Sequence, residues 1–396
     1  MRRLSLHEPL GGGAFGTVYA AELHTGPGMR RKVAVKVMAR TPGADQHEFL
    51  TRLRDEARLL SMLQDDAILG VLDLLEVDGR DAVVMEWVDG LDISQLIAGG
   101  QRMPPRALAE FGAVVSGALH KAHTAVHPET GQSLEVVHRD VKPANIMLTD
   151  RGHIKLLDFG VAKAAFEARE SRTGRMVLGT LNYMAPEYIL RGSLDARADI
   201  YGLGLSLVEA AIGQPFGQPK LKPEAFQRKL DAWLAGLPPE YAPLRPTLER
   251  MLAFSPEQRP DGATAEDWLA HLADELTGTG LRRWASTAVD SARSVKPPAS
   301  DRENLGGLSF DLDSGAREVG DTGPTSLPDL PPSPPPMNEP IDTTHALPPP
   351  PVRPAPERSA AAPPSTLTMV LKGLAVGGTM GVIALTVLVA ILWWFR

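Results

Sequence analysis

A glycine-rich turn and a lysine set in an apolar run are the first residues along the chain whose types and spacing could do chemistry. "LGGGAFGTVYAAEL" places Gly11, Gly13, Gly16 and Val18 in the spacing G-x-G-x-x-G-x-V. That spacing alone fits a flexible turn or a dinucleotide-binding turn. In the dinucleotide-binding turn the third glycine opens a helix, whereas here "TVYAAEL" continues as a β-prone alternating run. The glycines are therefore expected between two strands, as a flap whose backbone can approach phosphates with no Cβ in the way. Lys36 follows in the middle of "KVAVKVMA", where an ammonium needs a phosphate or a carboxylate as partner. The next segment, "HEFLTRLRDEARLLSML", has leucines at helical spacing and offers Glu56. Taken alone, this pair reads equally well as a solvated lysine on an edge strand with a solvated glutamate.

The stretch "VVHRDVKPANIMLTDRGHIKLLDFGVAK" separates these readings. His138-Arg139-Asp140 with Asn145 fits the pattern HRD-x-x-x-x-N, and Asp158-Phe159-Gly160 fits DFG. Downstream, "GTLNYMAPEYI" contains Ala185-Pro186-Glu187, followed by "DARADIYGLG" and "SPEQRPDG". In these motifs, their order and their spacing the chain resembles the protein-kinase superfamily, specifically the bacterial eukaryotic-like (Hanks-type) Ser/Thr kinases, over residues 4–272.

The resemblance implies a set of roles for phosphoryl transfer, which depends on positioning and charge neutralisation more than on covalent chemistry. Leu10, Gly11, Gly13, Gly16 and Val18 would cover ATP. Lys36 would hold its α/β-phosphates and be held by Glu56. Asp158 and Asn145 would bind Mg²⁺ (or Mn²⁺ as a substitute) through carboxylate and amide oxygens. Asp140 would take the substrate hydroxyl's proton, Lys142 would steady the γ-phosphate, and Thr180 would contact Asp140. Lys142 and Thr180 are the Ser/Thr-type choices. Met85 would be the gatekeeper, with Glu86 and Val88 offering backbone groups to adenine. Leu60, Val71, His138 and Phe159 match a stacked apolar spine anchored by Asp199, and Arg259 would pair with Glu187. Arg139 would meet a phosphorylated activation-loop residue, with Thr173 the first candidate for autophosphorylation and Ser171 the second. A pseudokinase would require loss of Lys36, Asp140, Asn145 or Asp158, and each is present.

The elements that must position these residues follow from the same resemblance: an α+β, bilobal protein-kinase fold with a small β-rich N-lobe and a larger helical C-lobe, over residues 1–275. The chain departs from the family pattern in three places. The first strand is short, so the true start codon could lie upstream. "LQDDAILGVLD" carries Asp65-Asp66 where the family usually has His-Pro, which loosens the alignment of Val71. "HPETGQSLE" is an insertion expected to form a surface hairpin or loop. His120, His123 and His127 near it invite a metal reading, but no nearby carboxylate pattern supports one.

Beyond residue 275 the patterning changes. Residues 276–368 contain about half of the 35 prolines and few aromatics, so a mostly disordered Pro-rich juxtamembrane linker is expected. From Gly373 to Phe395 no residue is charged, and a helix of that length spans roughly 35 Å, enough to cross a bilayer. Residues 369–395 are thus read as a C-terminal transmembrane helix. Gly373, Gly377 and Gly381 share one face of it, a candidate homodimer contact. The chain stops one residue later, so no external sensor domain is expected.

The net charge of -7 and the lack of any basic tract argue against nucleic-acid partners. The absence of cysteine excludes disulfides, thiolate catalysis and cysteine-ligated metals. The N-terminus has no signal-peptide h-region, so the kinase domain is expected on the cytoplasmic face of the inner membrane, acting on protein substrates. The competing reading is a membrane-anchored scaffold that recruits partners through the Pro-rich linker.

Overall fold

The computed structural model describes residues 2–13, 16–26, 28–39, 62–63, 65–159, 180–192, 195–293, 305–312 and 317–319. They form two lobes. The N-lobe is built on a seven-stranded sheet of order β10-β9-β1-β2-β3-β5-β4. Its members are β1 (Arg3–Gly13), β2 (Gly16–Gly26), β3 (Met29–Met38), β4 (Val71–Val77), β5 (Arg80–Glu86), β9 (Leu308–Asp311) and β10 (Arg317–Val319). The period-2 alternation of β3 explains its placement. Val33, Val35 and Val37 point into a core with Leu4, Leu6, Tyr19, Val77 and Val84. Ala34 and Lys36 therefore face the other way, toward the cleft between the lobes.

The C-lobe is helical, with a second, three-stranded sheet β6-β7-β8 (Gly90–Asp92, Ile146–Thr149, Ile154–Leu156) at its upper edge. Its helices are α1 (Ile93–Ala98), α2 (Pro105–His123), α3 (Pro186–Arg191), α4 (Ala196–Ile212), α5 (Pro223–Leu234), α6 (Arg245–Met251), α7 (Gly262–Glu275) and α8 (Leu281–Arg293). Helix α4 forms the axis of the core and is buried around its whole circumference from Asp199 to Ala211. Its ends are defined locally. Asp195 accepts a hydrogen bond from the Arg197 amide, and Gly213 closes the helix in the left-handed region at φ 75°.

Two departures seen in the sequence have simple structural outcomes. Asp65 accepts from the Ala67 amide at 2.8 Å and pairs with Lys121 at 2.6 Å, so this acid caps the turn leading into β4. The "HPETGQSLE" insertion is a small hairpin, closed by a Val126–Ser133 bridge and by a hydrogen bond from the His127 amide to the Gln132 carbonyl at 2.8 Å.

Described structure continues past residue 275, within the stretch 276–368 expected to be a linker. Leu281, Ala285, Ala288, Val289 and Ala292 bury one face of α8 on the C-lobe. Residues 305–312 return to the N-lobe, where Leu305 and Phe310 enter its core. The compact unit runs to Pro324. The physical reason is an apolar stripe made mostly of alanines, adequate for close helix packing although too small to stand out in a Pro-rich region. Among the described residues no helix is long and apolar enough to cross a membrane, and the stretch 369–395 lies outside them.

Candidate active site

The catalytic loop is held from below by one carboxylate. Asp199, in the first turn of α4, accepts from the His138 amide at 2.7 Å and from the Arg139 amide at 2.8 Å. Arg139 sits at φ +67°, a conformation costly for a side-chain-bearing residue, and the double contact to Asp199 holds the loop in it. Asp158 shares this property at φ +50°.

His138 is fully buried and tilts against Phe159, with ring centroids 4.5 Å apart. Its Nε2 lies 2.8 Å from the Leu157 carbonyl, and its Nδ1 accepts from the Asp140 amide at 3.3 Å. Burial lowers its pKa from 6.5 to about 4, the nearby Asp140 carboxylate opposing that shift. The neutral ring thus joins the backbone before Asp158 to the backbone of Asp140. Of the expected spine, His138 and Phe159 touch, Val71 packs on the C-lobe core, and Leu60 lies outside the described residues.

The polar groups above this base converge. Lys142 Nζ donates to Asp140 Oδ2 at 2.7 Å. Asn145 Nδ2 donates to the Asp140 carbonyl at 2.8 Å and to Asp140 Oδ2 at 2.9 Å. An amide anchored through its nitrogen has its oxygen turned to the opposite side, where it can accept a cation. Lys36 Nζ meets Asp158 Oδ1 at 2.6 Å across the cleft, so strand β3 and the DFG carboxylate are in direct contact. Glu56, the partner expected for Lys36, lies outside the described residues, as do Thr173 and Ser171. Thr180 opens a short 3₁₀ turn, Thr180–Asn182.

The side of the cleft where adenine is expected is formed by β1, β2, β5 and the connection after β5. Gly11 pairs with Val18 and Gly13 with Gly16, so the glycines form the tip of a β-hairpin, as the β-prone run after them requires. A Cβ on Gly16 would run into the Val37 carbonyl. Leu10 is half exposed on β1, Met85 is buried on β5, and Val88 lies in the connection between the lobes. The Glu86 carboxylate accepts from the Gly70 amide at 2.8 Å and from Lys155 Nζ at 2.6 Å, fastening the end of β5 to β8. Sequence reasoning gave Glu86 only a backbone role and missed Lys155, whose lone position in "HIKLLDFG" carries no spacing signal.

Below the cleft, Arg259 makes a bidentate pair with Glu187, at 2.7 and 2.8 Å, with the guanidinium fully buried. Arg259 also donates to the Ala253 and Phe254 carbonyls. Tyr183 donates to Glu209 Oε2 at 2.6 Å. Burial raises the pKa of both groups, so this bond joins a protonated phenol to a carboxyl above its usual range. No cluster of metal-ligand type occurs among the described residues, His120 and His123 included.

Residues 4–271 match the family model "Protein kinase domain", and the chain belongs to this family. It is 38% identical over 220 residues to Serine/threonine-protein kinase PknL of Mycobacterium bovis, covering 53% of this chain and 52% of that protein. It is 35% identical over 283 residues to Tyrosine-protein kinase MasK of Myxococcus xanthus, covering 68% of this chain and 43% of that protein. The chain thus spans about half the length, or less, of these curated relatives. The crystal structure of the Mycobacterium tuberculosis PknI kinase domain superposes with a TM-score of 0.51 at 29% identity, covering 68% of this chain and 96% of that domain.

Proposed function

We propose that this protein is an ATP- and Mg²⁺-dependent Ser/Thr protein kinase that works tethered to the cytoplasmic face of the inner membrane. The observation that carries the reading is the contact set around Asp140: Lys142 and Asn145 both bond its carboxylate, and Lys36 meets Asp158 across the same cleft.

The donor set fits the nucleotide and its metal. Asp158 already presents Oδ1 to a cation, the Lys36 ammonium, and the anchored Asn145 amide has its oxygen to offer. These are the hard oxygen ligands Mg²⁺ prefers. Mg²⁺ held by Asp158 and Asn145 would supply positive charge to offset the charge of the phosphates. The protein's own residues do the rest. The glycine tip of β1 and β2 covers the phosphates with backbone amides, and Lys36 moves its charge onto them. Asp140 orients the incoming hydroxyl and takes its proton as the new O–P bond forms and the bond from the γ-phosphorus to the β–γ bridging oxygen breaks, with ADP as the leaving group. Lys142, 2.7 Å from Asp140, would steady the transferred phosphoryl group. The Lys142 and Thr180 positions and the PknL relative support Ser/Thr acceptors. The uncharged stretch 373–395 supports the membrane tether, and Thr173 beside Arg139 in the family pattern supports trans-autophosphorylation.

The test is transfer of the γ-phosphate of ATP to a generic basic protein by the chain and by Asp140→Asn. The variant is expected to lose at least 100-fold in rate, on the order of the effect of removing a general base. Equal rates would end the proposal.

A further inference from the structure

The chain beyond the family match does something the kinase motifs do not require. After α8 it connects both lobes on a second path, in addition to the connection between β5 and β6. At the C-lobe end, the Leu281 amide donates to Glu110 Oε2 at 2.6 Å, and Ala292 packs on Gly99 at the end of α1. Arg293, the last residue of α8, reaches Asp89 between the lobes at 2.7 Å. At the N-lobe end, β9 pairs antiparallel with β1 in the register Arg3–Asp311, Leu4–Phe310 and Ser5–Ser309. The Gly307 amide donates to the Leu6 carbonyl at 2.8 Å, and the Leu312 amide to the Arg2 carbonyl at 2.9 Å. The Leu305 amide donates to the Tyr19 hydroxyl at 3.2 Å, and Ser5 and Ser309 join their hydroxyls at 3.0 Å.

The place where β9 stops is informative. Its ladder covers β1 only from Arg2 to Leu6. Immediately beyond, the β1–β2 register shifts twice, between Leu6 and Pro9 and between Pro9 and Gly11, and then the glycine tip follows. The base of β1 is therefore clamped on both edges, while the irregular part that carries the glycines is clamped on one. Without β9, β1 would be an edge strand with one row of backbone groups unpaired, prone to fraying. How the glycine tip leaves its base, and so where it lies over the nucleotide, depends on that base being fixed.

We propose that residues 281–293 and 305–312 form a strap that positions the glycine-rich strand β1 over the nucleotide, with Leu305 and Phe310 as positioning residues. Both side chains lie in the N-lobe core beside Leu4, Leu6 and Tyr19, so they act through β1 and β2 and touch no nucleotide themselves. The proposal rests on the kinase reading above, and its test separates the two.

In the full chain, the exchange of the Gly307 and Leu312 amides with solvent is followed with and without a non-hydrolysable ATP analogue and Mg²⁺. Coupling between two sites is reciprocal, so a nucleotide that depends on the strap must in turn stabilise it. Exchange at both amides is expected to slow at least three-fold. In parallel, Phe310→Ala is expected to raise the KM for ATP at least five-fold while kcat changes less than two-fold, and Phe310→Leu to stay within two-fold of the parent in both. Nucleotide binding with unchanged exchange at these amides overturns the strap's role, and so does an unchanged KM in folded Phe310→Ala. Should Phe310→Ala fail to fold, the exchange measurement on the unaltered chain decides. A parent chain that binds no nucleotide overturns the kinase reading, and the strap's role with it.

Discussion

The neutral ring of His138 makes two hydrogen bonds that a charged imidazolium could not both keep, because its Nδ1 must accept from the Asp140 amide. Its pKa, lowered from 6.5 to about 4 by burial, gives a pH dependence with a definite sign. Above pH 6.5 both folded and unfolded chains carry a neutral imidazole, and the residue contributes no slope. As pH falls from 6.5 toward 4 the unfolded chain takes up a proton that the folded chain resists, so stability drops by up to ~1.4 kcal/mol per pH unit. Urea unfolding should therefore show a steeper loss between pH 6.5 and 4 in the parent than in His138→Tyr, and equal slopes would refute the burial argument.

Arg259 gives a second prediction at this scale. Removing it leaves the Glu187 carboxylate buried without its bidentate partner, a change that costs about 3–5 kcal/mol. Arg259→Ala should lose that amount in denaturant unfolding, and Arg259→Lys should recover only part, since an ammonium cannot form the fork. Recovery of full stability by lysine would show that charge alone suffices. Asp140, Lys142 and Asn145, which the structure brings into contact, were legible in the sequence through their match to the protein-kinase motif along one loop. Lys155 was not, because its partners Glu86 and Ile68 come from distant segments and only the fold brings them together.

Among the elements, the turn between β7 and β8 and the helix α8 illustrate a close approach that only glycine permits. Gly152 sits at φ +82°, and a Cβ there would lie 2.8 Å from the Arg282 Cα. Gly152→Ala is expected to destabilise the chain by about 1–3 kcal/mol through strain and the displaced helix. A change below 0.5 kcal/mol in thermal unfolding would mean that α8 is loosely docked. The strands of the N-lobe were readable from alternation, as in "KVAVKV", and the glycine hairpin from the β-run after it. Helix α8 was harder. Its stripe Leu281, Trp284, Ala285, Ala288, Val289 and Ala292 has helical spacing, yet the five loop residues before it and a Pro-rich tract after it suggested disorder. Strand β9 is four residues long and gains its order from β1, so "LSFD" carries no signal in isolation.

In the whole molecule the last described strand, β10, pairs with β9 on the N-lobe sheet. Two such domains held by associated membrane helices would be raised in effective concentration for phosphorylation in trans. Replacing Gly377 and Gly381 with Leu should then reduce both self-association and Thr173 phosphate, read by crosslinking and mass spectrometry. Unchanged values would count against the proposed helix association. Transfer to Ser and Thr hydroxyls by the Asp140 site is the proposed activity, and relatives named for Ser/Thr and for Tyr specificity sharpen the question of acceptor. The most direct measurement is phosphoamino-acid analysis of a mixed protein substrate labelled from γ-³²P-ATP, with Asp140→Asn as reference. Label on phosphoserine and phosphothreonine, absent with the variant, is the predicted result; label chiefly on phosphotyrosine, or label that survives Asp140→Asn, would contradict it.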